Sequence, residues 1–353
     1  MCTCIASPTI MNGRRGIVSV CLVMLMLATQ EVRSQDLHFS QFFEAPLLRN
    51  PSLAGIFTGD YRIQGVYRNQ WSSVTDGYST GSFSAEYKTH AGAGNNYLTI
   101  GFQSLFDKSG TVGLATTEIF PALNYHKSLS NEKNMYLSIG FMGGLVQKSI
   151  DLSKLTTNNQ FDGNVYNPFQ ASGETFSTPN IQYLDGSIGM SFNSSFGNDQ
   201  ENNLFVGAAV HHLNRPKNSF YRDAVELQVK YVFSAGVKFA VNDYSYFTLQ
   251  ADHSRQGGAQ ETIGGCYYAY KLGDDPDQPS YTVQLGVLLR WQDALIPAVK
   301  LDMHSLYIAL SYDVNISALK TTSQGRGGVE LSVAYIGFKG RNSLKDKVLC
   351  PRF

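Results

Sequence analysis

The sequence predicts an all-β chain closed into a transmembrane antiparallel β-barrel of the outer-membrane type, with about fourteen strands, and three observations predict it. Hydrophobic residues fill 43% of the 353 positions while charged residues fill only 16%, against about a quarter in an ordinary soluble domain. Apolar residues recur with a period of two in segment after segment, the signature of strands with one dry and one wet face. Beyond residue 34, no uncharged apolar run reaches the roughly 18 residues of a spanning helix. A mean hydropathy of −0.17 fits this architecture, because each spanning strand averages a lipid-facing apolar row with a polar one.

Composition also excludes classes of function. The 28 basic and 28 acidic residues cancel, which removes any general counterion-release drive toward nucleic acid. Disorder is excluded by 20 Tyr and 21 Phe, far more apolar surface than an unfolded linker keeps.

The elements follow in chain order. Arg14 and Arg15 precede an uncharged run from Gly16 to Gln30, and Val32-Arg33-Ser34 follows, so residues 1–34 read as the basic, apolar and cleavage regions of a signal peptide. Cleavage there removes Cys2, Cys4 and Cys21 and leaves Cys266 and Cys350, too few for a disulfide framework. Residues 35–57 contain Phe39-Ser40-Gln41-Phe42-Phe43, then Pro46 and Asn50-Pro51; each Pro lacks a ladder donor, so no long strand fits. This stretch is expected to be an ordered periplasmic lead-in that either plugs or lines the periplasmic mouth of the barrel or covers its rim as a lid.

Residues 58–339 carry the strands. Alternation is clearest in Tyr61-Ile63-Gly65-Tyr67 against Arg62-Gln64-Arg68-Gln70, in Gly186-Ile188-Met190-Phe192 against Asp185-Ser187-Gly189-Ser191-Asn193, and in Tyr231-Phe233-Ala235-Val237 against Lys230-Ser234-Gly236-Lys238. Strand centres fall near Gly65, Ala85, Gly101, Ile119, Ile139, Gly189, Gly207, Ala235, Leu249, Gly264, Gly286, Ala298, Ile308 and Val333, with lengths expected near the 9 to 11 residues of a tilted membrane strand. The longest connections, Lys148 to Asn180, Asn214 to Glu226 and Asn315 to Gly328, all follow odd-numbered strands, which places them on one side of a membrane. Aromatic pairs near strand ends, among them Tyr67 and Trp71, Tyr267 and Tyr268, Tyr281 and Trp291, and Tyr335 and Phe338, read as interfacial girdles. A soluble β-sandwich also alternates, but it predicts neither these girdles nor long loops on one side. The tail at 340–353, with Lys339 before it, is basic and reads either as a dock for an acidic partner or as a solvated end.

Catalytic signatures are weak. The sequence holds no HExxH, CxxC, P-loop or GxSxG. His211 and His212 are adjacent in a strand and are expected on opposite faces, one lumenal and one near an interface. His253-Ser254 face apart for the same reason, and Asp274, Asp275 and Asp277 read as a solvated turn rather than a cation site. No enzyme and no cofactor is expected.

The opening of the mature chain, Asp36-Leu37-His38-Phe39-Ser40-Gln41-Phe42-Phe43-Glu44-Ala45-Pro46-Leu47-Leu48-Arg49-Asn50-Pro51-Ser52-Leu53-Ala54-Gly55, resembles the opening motif of the PorP/SprF family of outer-membrane proteins tied to the type IX secretion system of Bacteroidetes. Tyr67-Arg68-Asn69-Gln70-Trp71, Asp293-Ala294-Leu295-Ile296-Pro297, Ser311-Tyr312-Asp313-Val314-Asn315, Gly328-Val329-Glu330-Leu331-Ser332 and the terminal Cys350-Pro351-Arg352-Phe353 extend the resemblance over the mature chain. Leu37 and Phe43 depart from the family's more usual Pro and Tyr. The resemblance implies a non-enzymatic outer-membrane component supporting secretion or surface attachment of large adhesin-like cargo, and gliding motility. It implies as partners other type IX components and a periplasmic peptidoglycan-binding lipoprotein, beside outer-membrane lipid. It also marks Phe39, Gln41, Phe42, Pro46, Asn50, Pro51, Gly55, Arg68, Gln70 and Trp71 as motif residues and candidate partner contacts. Within the connection from Lys148 to Asn180, Phe161, Tyr166, Phe169 and Phe176 stand among Asn, Gln, Ser and Thr, a composition suited to protein recognition. That loop is expected either to contact cargo or to fold back into its own lumen. The rival reading of the whole chain is a diffusion channel or hydrophobic-solute transporter.

Overall fold

The computed structural model describes residues 36–70, 77–92, 94–174, 176, 178–197, 201–221, 225–317 and 326–339. The signal peptide read at 1–34, Trp71 and the basic tail at 340–353 lie outside the described residues, so Cys350 does too. A compact unit begins at Leu37.

Fourteen antiparallel strands pair in chain order and close on themselves: β1 (Tyr61–Gln70), β2 (Tyr78–His90), β3 (Tyr97–Ser109), β4 (Leu114–Ser130), β5 (Met135–Ser149), β6 (Asn180–Ser195), β7 (Asn203–His211), β8 (Lys230–Asn242), β9 (Ser245–Gln256), β10 (Ala259–Leu272), β11 (Tyr281–Arg290), β12 (Ala294–Met303), β13 (Leu306–Asn315) and β14 (Arg326–Gly337). Each centre read from alternation falls inside one of them. The closing ladder joins β1 to β14 from Tyr61↔Gly337 to Gln70↔Gly328 without a slip. Closure leaves no row of unpaired backbone groups to face hydrocarbon, which is the condition for a sheet to span lipid. Among the described residues no helix is long and apolar enough to cross a membrane.

The two rows of each strand separate as alternation requires. On β1, Arg62, Gln64, Val66 and Arg68 are buried inside while Ile63 and Tyr67 face out. On β6, Asp185, Ser187, Ser191 and Asn193 face the lumen and Met190 faces out. Exposed Ile100, Phe102, Leu123, Phe141, Phe233, Leu285 and Leu310 form an outer apolar band. Exposed aromatics rim it, with Tyr87, Tyr281 and Tyr335 toward the end of the even-numbered turns and Tyr67, Tyr231, Trp291 and Tyr312 toward the end of the odd-numbered connections.

Five expectations need correction. Strand lengths run from 9 residues in β7 to 17 in β4, because the hairpins of β3–β4 and β5–β6 continue pairing out to Ser109↔Leu114 and Ser149↔Asn180. Tyr267 does not belong to a girdle: it points inward, 4% exposed, and only Tyr268 faces out. Phe338 likewise lines the lumen rather than the interface. His212 does not share the straight-strand geometry, because its φ of +58° ends β7 and swings the ring to Asp185, so both His211 and His212 are buried.

The largest correction concerns residues 37–57. They plug the barrel, but over its length rather than at its periplasmic mouth alone, and they are no rim lid; they descend through the lumen from the level of Arg68, Asp313 and Glu261, near the odd connections, to that of Lys88 and Arg62, near the even turns. Three short helical turns build this plug, Phe42–Glu44, Pro46–Arg49 and Pro51–Leu53. Pro46 and Pro51 each stand at a first helical position, where φ is already set and no N–H is needed. The chain then turns at Gly55, with φ +82°, and enters β1.

Candidate functional site

The plug and the inner wall form one polar and apolar interface. At the odd-connection end, the backbone N–H groups of Ser40 and Gln41 donate to the two carboxylate oxygens of Glu330 on β14, both at 2.7 Å. The Gln41 side chain also donates to the Glu330 carbonyl at 3.2 Å. Arg68 on β1 donates to the His38 carbonyl and, at 2.8 Å, to Asp313 on β13. Arg290 on β11 reaches the same Asp313 oxygen at 2.7 Å, and Ser40 Oγ donates to it at 2.8 Å. Two guanidinium groups therefore surround two buried carboxylates, and the plug completes the set.

Midway down, Arg49 makes a two-pronged pair with Asp252 on β9, each contact 2.5 Å, and its guanidinium lies 4.8 Å from the Phe42 ring centre. His211 donates or accepts through Ser187 Oγ, and its Nε2 donates to the Arg49 carbonyl at 3.0 Å. Asn50 caps the next turn by accepting from Ser52 N and Oγ, while its amide nitrogen donates to the carbonyls of Met190 and Ala208 on β6 and β7. That approach is open only because the wall is bare there. A Cβ on Gly189 would stand 1.8 Å from Asn50 Oδ1, and one on Gly140 would stand 2.4 Å from the Pro51 carbonyl carbon.

Lower still, Asn124 on β4 donates to the carbonyls of Ser52 and Ala54 at 2.6 and 2.7 Å. Gly55 N donates to Glu86 on β2, which also holds Arg62, and Lys88 donates to the carbonyls of Gly55 and Phe57. The Phe57 ring is sandwiched by Arg62 and Lys88 at 4.7 and 4.6 Å. Glu44 pairs with Lys300 on β12 at 3.2 Å and with Gln64 on β1 at 3.0 Å. Apolar plug residues meet apolar wall residues that interrupt the polar inner row: Phe42 packs near Ile263, Leu288 and Ile296, Leu47 near Phe120 and Met142, Phe39 near Val66 and Leu105.

These contacts place the motif residues. Phe39, Gln41, Phe42, Pro46, Asn50, Pro51, Gly55 and Arg68 are all buried in this interface; Gln70 sits half-buried at the end of β1 opposite Gly328. Sequence reasoning missed Asp252, Asp313 and Arg290 as plug anchors. Val66, an apolar residue on the polar row of β1, and the glycines at 140 and 189 were the available signals. A Gly140→Val variant is expected to lose about 1–3 kcal/mol by driving side-chain atoms into the Pro51 backbone. Gly81→Val, whose Cβ would meet nothing within 4 Å, should leave stability unchanged. Thermal unfolding followed by heat-modifiable gel mobility checks the pair.

The odd-connection end carries the loop at 150–179. It is built, not slack: Thr157 and Gln160 form a reciprocal cap, Phe161 bridges to Tyr166, and Asp162 accepts from the N–H groups of Val165 and Asn164, which hold its carboxyl below the usual range. Phe176 stacks 5.0 Å from Tyr221 of the connection between β7 and β8. Phe161 and Tyr166 are exposed, and Phe169 at the tip is 98% exposed. The loop thus leans on its neighbour, with these three rings exposed. Among the described residues no three or more His, Cys, Asp or Glu groups gather to hold a metal ion, and the Asp275 carboxylate caps Asp277 N in its turn.

A family model for the type IX secretion system membrane protein PorP/SprF matches residues 31–335. The chain belongs to that family. It is a PorP/SprF membrane protein of type IX secretion that crosses the outer membrane with fourteen strands. No curated protein matches it. Among solved structures, this PorP/SprF barrel is similar to the TodX monoaromatic hydrocarbon channel in its deltaS2 mutant form, at TM-score 0.47 and 10% identity over 83% of this chain and 93% of that one. It is also similar to a FadL homologue from Pseudomonas aeruginosa, at TM-score 0.45 and 8% identity over 83% and 94%. At these scores the likeness assigns neither ligand nor mechanism to the PorP/SprF chain.

Proposed function

We propose that this barrel is a non-enzymatic docking component of type IX secretion, which supports the secretion or surface attachment of large adhesin-like cargo and gliding motility without itself conducting the cargo. The carrying observation is the occupied lumen. Residues 37–57 run through the lumen and are bonded to strands around it, from Asp252 on β9 through Glu330 on β14 to Asn124 on β4, which obstructs passage of a polypeptide. The same bonds weigh against the rival reading as a diffusion channel. With the long connections facing outside, as in outer-membrane barrels, Phe161, Tyr166 and Phe169 present apolar rings to secreted cargo. The even turns then face the periplasm, where a peptidoglycan-binding lipoprotein and other type IX components would meet the barrel.

The test is a photoreactive phenylalanine analogue at position 169 in cells that are secreting. Adducts with adhesin-like cargo support the docking role, and their absence under active secretion removes it. Phe169→Ala should reduce such adducts while leaving barrel stability within about 0.5 kcal/mol, since the ring is exposed.

A further inference from the structure

The plug does not fill the lumen evenly. Between it and strands β9 to β13 lies a cavity of about 350 Å³ that opens at the even-turn end past Thr58, His304, Ser305 and Phe338. We infer that this cavity binds an uncharged, extended peptide segment inserted from the even-turn side, with its backbone read by Gln250 and Tyr246 and its side chains set against the plug.

The cavity is two-faced. The plug side is largely apolar, offering Phe43, Leu53 and Ile56, while the wall side offers Tyr246 and Gln250 from β9, Gln284 from β11, and Lys300 and Asp302 from β12. Its three cations are already matched, Lys300 with Glu44 at 3.2 Å, Arg62 with Glu86 at 2.7 Å and Arg49 with Asp252 at 2.5 Å, while the Asp302 carboxylate accepts from the neutral Gln284 amide at 2.6 Å. An anionic ligand would have to break one of these pairs and would face the Asp302 carboxylate, so an uncharged segment is favoured over an anionic one. Two wall groups remain uncommitted, for neither the Gln250 carboxamide nor the Tyr246 hydroxyl has a hydrogen-bond partner among the described residues. A carboxamide offers one donor edge and one acceptor side by side, the pattern that pairs with a peptide group. A phenol can do either. The volume lies at the small end of ligand sites, room for a few residues rather than a domain.

The experiment uses the full chain in lipid nanodiscs and, as probe, the acetylated and amidated tripeptide phenylalanyl-asparaginyl-leucine, with binding read by calorimetry. Saturable one-to-one binding is expected, weakened about tenfold or more by Gln250→Leu and by Tyr246→Phe. The same tripeptide with a free terminal carboxylate should bind more weakly. Heat-modifiable mobility of both variants shows that the barrel stays folded, and the outward Tyr268→Phe serves as a control with unchanged affinity. The inference is overturned by absence of saturable binding to the parent protein, by parental affinity retained in both variants, or by stronger binding of the charged peptide. These outcomes do not depend on whether cargo docks at the opposite end.

Discussion

Removing residues 37–54 is expected to convert a closed barrel into an open ion channel. In planar bilayers the parent protein should leave the membrane at its leak current, whereas the deletion should give discrete steps whose size scales with bulk electrolyte. The reason lies in what remains: a polar inner wall on which Gln64, Asp252, Lys300 and Glu330 have lost the plug groups that matched them. Such a lumen would wet at once, because buried charges without partners are costly until water reaches them. Asp252→Ala offers a gentler version, releasing Arg49 and the middle of the plug while the rest stays anchored. Its expected result is a flickering, smaller conductance. A correctly folded deletion protein that passes no current would defeat the reading of residues 37–57 as the seal.

The second large effect is on stability. Arg68→Ala should cost about 3–5 kcal/mol, because it leaves Asp313 and Glu330 beside each other in the lumen with only Arg290 to compensate and takes a donor from the His38 carbonyl. Arg68→Met combined with Asp313→Asn should be far less damaging than the sum of the two single changes, since the pair removes both charges together. Denaturant unfolding of the four proteins measures the coupling. Additive losses would show that the two side chains do not act as a unit.

The strands were legible because lipid on one side and a polar lumen on the other impose a period of two on every one of them, and Ile63 beside Gln64 or Met190 beside Ser191 carries that imprint locally. That residues 35–57 form no long strand was legible from Pro46 and Pro51. The plug's position was not, because its bonding partners are remote in the chain: Ser40 meets Glu330 across 290 positions and Arg49 meets Asp252 across 203. Alternation says which row a residue is on and nothing about what fills the space facing that row. Val66 was the local hint, an apolar side chain among Arg62, Gln64 and Arg68 that only a buried neighbour such as Phe39 explains. His212 escaped for another reason, since a single left-handed residue at a strand end redirects a side chain without leaving a mark in the pattern.

The plug's bonds straddle the junction of the first and last strands: Arg68 and Gln64 on β1 hold His38 and Glu44, while Glu330 on β14 holds Ser40 and Gln41. That placement sets an order of events in biogenesis. A barrel whose final ladder zipped before the segment was inside would have to thread it through a finished cylinder. A segment already seated against β1 instead presents its two backbone N–H groups to the arriving Glu330, and so brings the far end of the chain to its mate before any ladder bond forms. Sealing and closure would then coincide, because the same residues, Arg68 and Gln64 on one edge and Glu330 on the other, serve both.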